Sequence, residues 1–162
     1  RESAELLNDK YRSVRHAASW QCFPAAMQHP QCGAEMTATA RFQADQPTGV
    51  MQLAMLAAAR GDAKMTEAQY RRAIELDASS AVPRMDYAVF LAQQNRPMEA
   101  LQQMLACTQA HPELAEAQYR LGLILAEVGQ LPAARRALRK AVELDAAHTR
   151  AAEALKSLPE AK

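Results

Sequence analysis

Two nine-residue segments, Tyr70-Arg71-Arg72-Ala73-Ile74-Glu75-Leu76-Asp77-Ala78 and Leu138-Arg139-Lys140-Ala141-Val142-Glu143-Leu144-Asp145-Ala146, are near-copies of each other in different parts of the chain. Halfway between them, Met104-Leu105-Ala106-Cys107-Thr108-Gln109-Ala110-His111-Pro112 keeps the same order of large and small residues. The period is therefore 34 residues, and three units fit without an insertion: 47–80, 81–114 and 115–148. A fixed period of this length marks a supersecondary unit that cannot bury its own apolar face and must stack on its neighbours; about three units are the minimum for stability.

Composition fixes what the units are made of. Alanine, leucine, glutamine, glutamate and arginine dominate, and these are helix formers. With 5% aromatic residues and five glycines, the chain reads as all-α. Its apolar share of 49% is enough to bury a core and excludes disorder throughout. The net charge of +1 favours neither nucleic acid nor an anionic lipid surface. No apolar run approaches the roughly 20 residues needed to span a bilayer. No signal-peptide pattern follows Arg1, and the chain reads as a piece cut from a longer protein.

Fixed positions within the units carry a resemblance. They are Leu121, Gly122, Leu125, Gly129, Ala134, Leu138 and Ala141 in the third unit, and Tyr87, Ala88, Leu91, Asn95, Ala100, Met104, Cys107 and Pro112 in the second. In the first they are Leu53, Ala54, Ala57, Gly61, Tyr70 and Ala73, with Thr66 in place of the usual alanine. Val50, Arg84 and Gln118 stand where an aromatic residue is usual. Spacing and residues together resemble the tetratricopeptide-repeat (TPR) family. That resemblance implies a right-handed α-solenoid of three helical hairpins, with extra helices before it and a capping helix after it. Small residues (Ala54, Ala88, Gly122) sit where the two helices of a hairpin approach; Tyr70, Met104 and Leu138 fill the space to the next hairpin. Gly61, Asn95 and Gly129 suit a left-handed helix exit. Pro97 and Pro132 fall early in second helices, where a missing N–H costs little. Residues 149–162 read as the capping helix and tail, with Thr149 as its N-cap.

Residues 1–46 do not keep the register. Leu6-Leu7-Asn8-Asp9 followed by Tyr11 to Ala18 resembles the junction of two HEAT-repeat helices, in which aspartate and arginine tie hairpins together while Val14 and Ala18 pack. Residues 22–32, with two prolines, read as a linker or bent connection. Ala34–Gln43 reads as a further helix with Met36, Ala40 and Phe42 inward. A HEAT-like piece, a linker and three TPR units resemble the C-terminal part of bacterial multihaem cytochrome c-related proteins, which implies a periplasmic parent; a cytoplasmic one is the alternative. No Cys-x-x-Cys-His motif is present, and no cofactor is assigned to any residue.

Cys22, His29 and Cys32 offer three metal-ligand types, but no fourth lies nearby, and we read them as unrelated loop residues. The three cysteines imply no disulfide framework; a Cys22–Cys32 pair is left open. Cys107 stands where its sister units have alanine and reads as a small core residue. His111 and His148, at unit ends, read as exposed. The Arg135-Arg136-Ala137-Leu138-Arg139-Lys140 run reads as a solvated outer face, and Glu67–Arg71 and Glu116–Arg120 as surface ion pairs. No nucleophile set, phosphate loop or carboxylate pair points to catalysis, so the chain is expected not to be an enzyme.

In the TPR family the first helix of each unit lines a groove. The resemblance places Met51, Met55, Met85, Val89, Tyr119, Leu123 and Arg120 there. It implies a binding scaffold for an apolar or amphipathic protein segment, or a homodimer; the alternative is a structural or dimerising appendage of the larger parent.

Overall fold

The structure is a computed structural model, and it describes residues 6–8, 10 and 12–159. Among these residues all regular structure is helical. The chain forms two compact units, Arg1–Ala78 and Ser79–Lys162.

The first unit opens with a 3₁₀ turn, Leu6–Asn8, followed by α1 (Arg12–Gln21), α2 (Phe23–Gln28) and α3 (Pro30–Phe42). Asp9 and Tyr11 of the HEAT-like pattern lie outside the described residues. Ala18 is buried, in a core with Leu7, Ala26, Cys32, Met36, Ala40 and Leu56; Trp20, Phe23, Met27 and Leu53 pack against it. Of the linker or bent connection expected over 22–32, the chain forms a bent connection that is itself helical on both sides. Its two prolines lie in the first turns of α2 and α3, where no intrahelical N–H is lost. The bend falls at His29, whose extended backbone (φ −86, ψ 116) separates the two helices. Its Nδ1 caps α3 by accepting from the Cys32 N–H. Phe42, expected inward, is 88% exposed at the last turn of α3, beyond the buried stripe of Met36 and Ala40.

The first hairpin follows as α4 (Pro47–Ala59) and α5 (Ala63–Leu76), and α3 packs on α4. Asp62 caps α5, accepting from the Met65 N–H at 2.9 Å. Thr66 is fully buried where the family favours alanine. Its hydroxyl donates to the Asp62 carbonyl at 2.8 Å, which removes the cost of an unpaired buried polar group.

The second unit holds two hairpins, α6 (Ala81–Gln93) with α7 (Pro97–Ala110) and α8 (Ala115–Glu127) with α9 (Leu131–Leu144), then α10 (Thr149–Ser157). Neighbours in sequence are neighbours in space: α7 packs on α8 and α9 on α10, while α6 also meets α8. The core between them is largely aliphatic, with Leu91, Met104, Leu138 and Cys107 fully or almost fully buried and Tyr87 and Phe90 stacked among them. Burial pushes the Cys107 thiol up, against the lowering influence of Arg84 and Arg120, so it packs as a neutral group.

Each first helix leaves by the same device. Gly61 (φ 73), Asn95 (φ 59) and Gly129 (φ 77) take the left-handed conformation. The next residue's N–H then reaches back to the carbonyl of Ala57, Leu91 or Leu125. Inside the third hairpin the two helices approach so closely that a Cβ on Gly122 would lie 2.6 Å from Leu138 Cγ and 3.3 Å from the Ala134 carbonyl. Leu138 is fully buried and has no room to yield. Gly122→Ala is therefore expected to destabilise the protein by about 1–3 kcal/mol, read as a lower urea midpoint at unchanged slope. An unchanged midpoint would show that the seam is looser than this geometry.

Candidate functional site

The expected groove residues share a register. Met51, Met85 and Tyr119 are equivalent positions of successive units, as are Met55, Val89 and Leu123. In the first unit Met51 and Met55 lie on α4, one turn apart; Met51 is half-buried and Met55 is 41% exposed. In the second unit Met85 and Val89 lie on α6, and Tyr119 and Leu123 on α8, again one turn apart and so on one face of their helix. Leu123 is 42% exposed, Val89 and Tyr119 are partly buried, and Met85 is buried.

Arg120 sits in a web of charge that its own repeat spacing creates. Its Nε donates to Glu116 Oε1 at 2.7 Å and its Nη1 to Asp86 Oδ1 at 3.1 Å. Asp86 is the residue 34 positions earlier, on α6. Glu116 in turn accepts from Arg150 Nη2 at 3.0 Å, again across 34 positions. His148 Nε2 meets the same Glu116 oxygen at 3.1 Å. The Arg150 guanidinium lies 5.3 Å from the centre of the Tyr119 ring, and the His148 ring lies 4.8 Å from it. Opposite charges at equivalent positions of adjoining hairpins thus form a ladder across α6, α8 and the start of α10.

Histidine 148 corrects two expectations. Its side chain is only 9% exposed, being covered by Tyr119 and Glu116 rather than by solvent. His111 is likewise partly buried. The N-cap of α10 is His148, not Thr149: its Nδ1 accepts from the Ala151 N–H at 3.2 Å. With Nδ1 accepting, the neutral ring carries its proton on Nε2 and donates it to Glu116. At the other end of α10, Arg135 Nη2 donates to the carbonyls of Leu158 and Pro159, each at 2.7 Å. One member of the expected solvated basic run is thereby spent on holding the last helix. Sequence reasoning identified the Glu116–Arg120 and Glu67–Arg71 pairs, and both form. It missed Asp86–Arg120 and Glu116–Arg150, whose signal was opposite charge at a separation of one full repeat.

Burial alone would raise the Glu116 carboxyl. The hydrogen bond and charge of Arg120, then His148 and Arg150, outweigh it and hold the group below its ordinary value of 4.5. The ladder pairs two carboxylates with two guanidiniums and carries no net charge. Nothing in it forms a nucleophile with a base. Among the described residues no three His, Cys, Asp or Glu side chains converge on one point, and Cys22, Cys32 and Cys107 are free thiols. Nor is any helix of the described residues long and apolar enough to cross a membrane.

Hairpins of 34 residues with a shared register define a helical-repeat protein. Residues 115–148 match the family model of the tetratricopeptide repeat. The chain has the fold of tetratricopeptide-repeat proteins, with such a repeat at its third unit. Among solved structures it is similar to Pseudomonas aeruginosa pilF (TM-score 0.70, 22% identity, 88% of this chain and 67% of that one). It is also similar to YrrB, described as a TPR protein with an unusual peptide-binding site (0.68, 21% identity, 90% and 75%). A third is the first TPR of Spaghetti (RPAP3) bound to the HSP90 peptide SRMEEVD (0.64, 13% identity, 70% and 90%). No curated protein matches the chain in sequence.

A carboxylate whose folded-state pKa is depressed contributes stability that is present above its unfolded value and lost as pH falls through the folded one. Glu116→Gln is therefore expected to lower the melting temperature at neutral pH, with the gap to the parent closing as pH falls below the ordinary carboxyl value of 4.5. A gap that stays constant with pH would mean that the Glu116 charge contributes nothing to stability.

Proposed function

We propose that the chain is a non-catalytic protein-interaction scaffold whose helices α6 and α8 take an apolar or amphipathic helical segment of a partner. The tetratricopeptide fold supports the general reading, and similar folds are seen with bound HSP90 and HSP70 peptides. The face of α6 and α8 supports the finer one. Val89, Tyr119 and Leu123 offer apolar surface beside a charge ladder that is already neutralised within the protein. Met51 and Met55 present the same register positions on α4, and methionine there adapts to partners of varied shape.

The observation that carries this choice of ligand is the state of Arg120. Its Nε is bonded to Glu116 and its Nη1 to Asp86. A ligand carboxylate arriving at Arg120 would have to share the guanidinium with both of them against their like charge, or exchange with one. An uncharged, apolar ligand face needs no such exchange, so it fits better than an acidic chain end. Met85 belongs to the same register but is buried, so truncating it tests the fold rather than the surface.

A fluorescein-labelled amphipathic helix with leucines at i, i+3, i+4 and i+7 is the probe. Val89→Ser with Leu123→Ser is expected to weaken its binding by about tenfold or more in anisotropy titrations, close to 1.4 kcal/mol, while thermal melting stays near that of the parent. Unchanged affinity would remove this face as the site. Light scattering over a concentration series is the companion measurement. A dimer that the same two substitutions dissociate would assign the face to a second copy of the chain.

A further inference from the structure

We propose that the cleft between α3, α4 and α5 in the first unit binds a small apolar carboxylate that also carries an N–H, the chemistry of an N-acylated apolar amino acid. The cleft encloses about 320 Å³, at the small end of ligand-binding cavities. Its floor is aliphatic, formed by Leu53 and by Leu56, which is 1% exposed, with Met65 at one side. Arg41 from α3 and Arg60 from the α4–α5 turn stand at its rim.

These two guanidiniums stand at one cleft and, like Arg72, Arg84, Arg136 and Arg139 among the described residues, have no carboxylate partner. Arg71, Arg96, Arg120 and Arg150 each bind a carboxylate. Arg60 donates from Nη2 to the Thr37 hydroxyl at 2.7 Å, and neither it nor Arg41 has a carboxylate partner among the described residues. Asp62 lines the same cleft, but its Oδ1 is turned to the Met65 N–H as the cap of α5. Two cations against one committed anion leave the rim positive. A guanidinium with free donor edges is matched in shape by a carboxylate.

A third group makes the demand more specific. Gln69 lines the cleft with its Oε1 buried and without a hydrogen-bond partner, while its Nε2 donates to Met65 Sδ at 3.2 Å. A buried carbonyl lacking a donor is costly, and a ligand N–H would satisfy it. A phosphate or sulfate would leave the aliphatic floor uncovered. A simple fatty acid would leave Gln69 unpaired, and the volume excludes a long one. An acyl-amide nitrogen, a short aliphatic side chain and a carboxylate answer all three groups at once. The same groups are found in a free N-acyl amino acid and in the last residue of a peptide.

N-acetyl-leucine titrated into the isotopically labelled protein, with amide shifts followed by NMR, tests the assignment. Saturable shifts over residues 53–69 are expected, with a dissociation constant below about 10 mM. N-acetyl-leucinamide, which lacks the carboxylate, is expected to bind about tenfold more weakly, as is the parent ligand to Arg41→Gln with Arg60→Gln. 4-Methylpentanoate, which lacks the N–H, is expected to bind more weakly than N-acetyl-leucine to the parent, and Gln69→Met is expected to close that gap. A tripeptide ending in leucine, run beside the free ligand, tells which source binds tighter. Absence of saturable shifts, or an amide that binds as well as the acid, overturns the proposal. So does affinity unmoved in the double arginine variant. The amide comparison needs no substitution, so it decides the matter even if a variant fails to fold.

Discussion

The approach of two helices within a hairpin sets everything else in the second unit. Where α8 crosses α9, Gly122 leaves space that Leu138 occupies down to a distance no side chain would permit. Contact this close brings the second helix far enough in for its opposite side to reach the next hairpin. Leu138, Ala134 and Ala141 are all fully buried on the second helix of this seam. The hydrophobic gain belongs to the stack and not to the single hairpin, which explains why the period must be kept without insertion. It also explains why polar residues confined to first-helix faces meet their equivalents from the adjoining hairpin.

That last consequence produces the ladder from Asp86 through Arg120 and Glu116 to Arg150. In isolation each pair is a modest surface interaction. Here they share partners, and fixing one side chain orders the next. His148 joins the same network while capping α10, so the last helix is held by its first turn through Glu116 and by its end through Arg135. The face of α6 and α8 beside this network therefore adjoins charges that are balanced within the protein.

Much of the hairpin architecture was legible. The 34-residue spacing, the exits at Gly61, Asn95 and Gly129, and the buried Cys107 all follow from local chemistry that a sequence displays. What escaped was context. Two prolines near residues 22–32 read as breakers, yet a helix start accepts proline, and only the fold shows where the starts lie. Phe42 is apolar by type, but two residues after Ala40 it lies about 200° round the helix, on the face away from the core. Thr149 is the better cap by preference, yet His148 caps because its ring is also held by Tyr119 and Glu116. Met85 keeps the register of Tyr119 but is buried in α6, since register fixes the angle of a side chain and not its cover. The cleft around Arg60 left no trace in any motif, because its three helices meet only in the folded unit.

The ladder also makes the hairpins non-interchangeable. Each rung joins one position of a hairpin to the same position of the following one, with the sign reversed between them. Were the segment 115–148 duplicated in tandem, Glu116 would meet a second glutamate and Arg120 a second arginine. Transposing 81–114 and 115–148 would keep the Asp86–Arg120 pair and part Glu116 from Arg150. Modules that look alike in their apolar seams are thus not interchangeable in charge, and a tandem copy of the third would set like charges against each other.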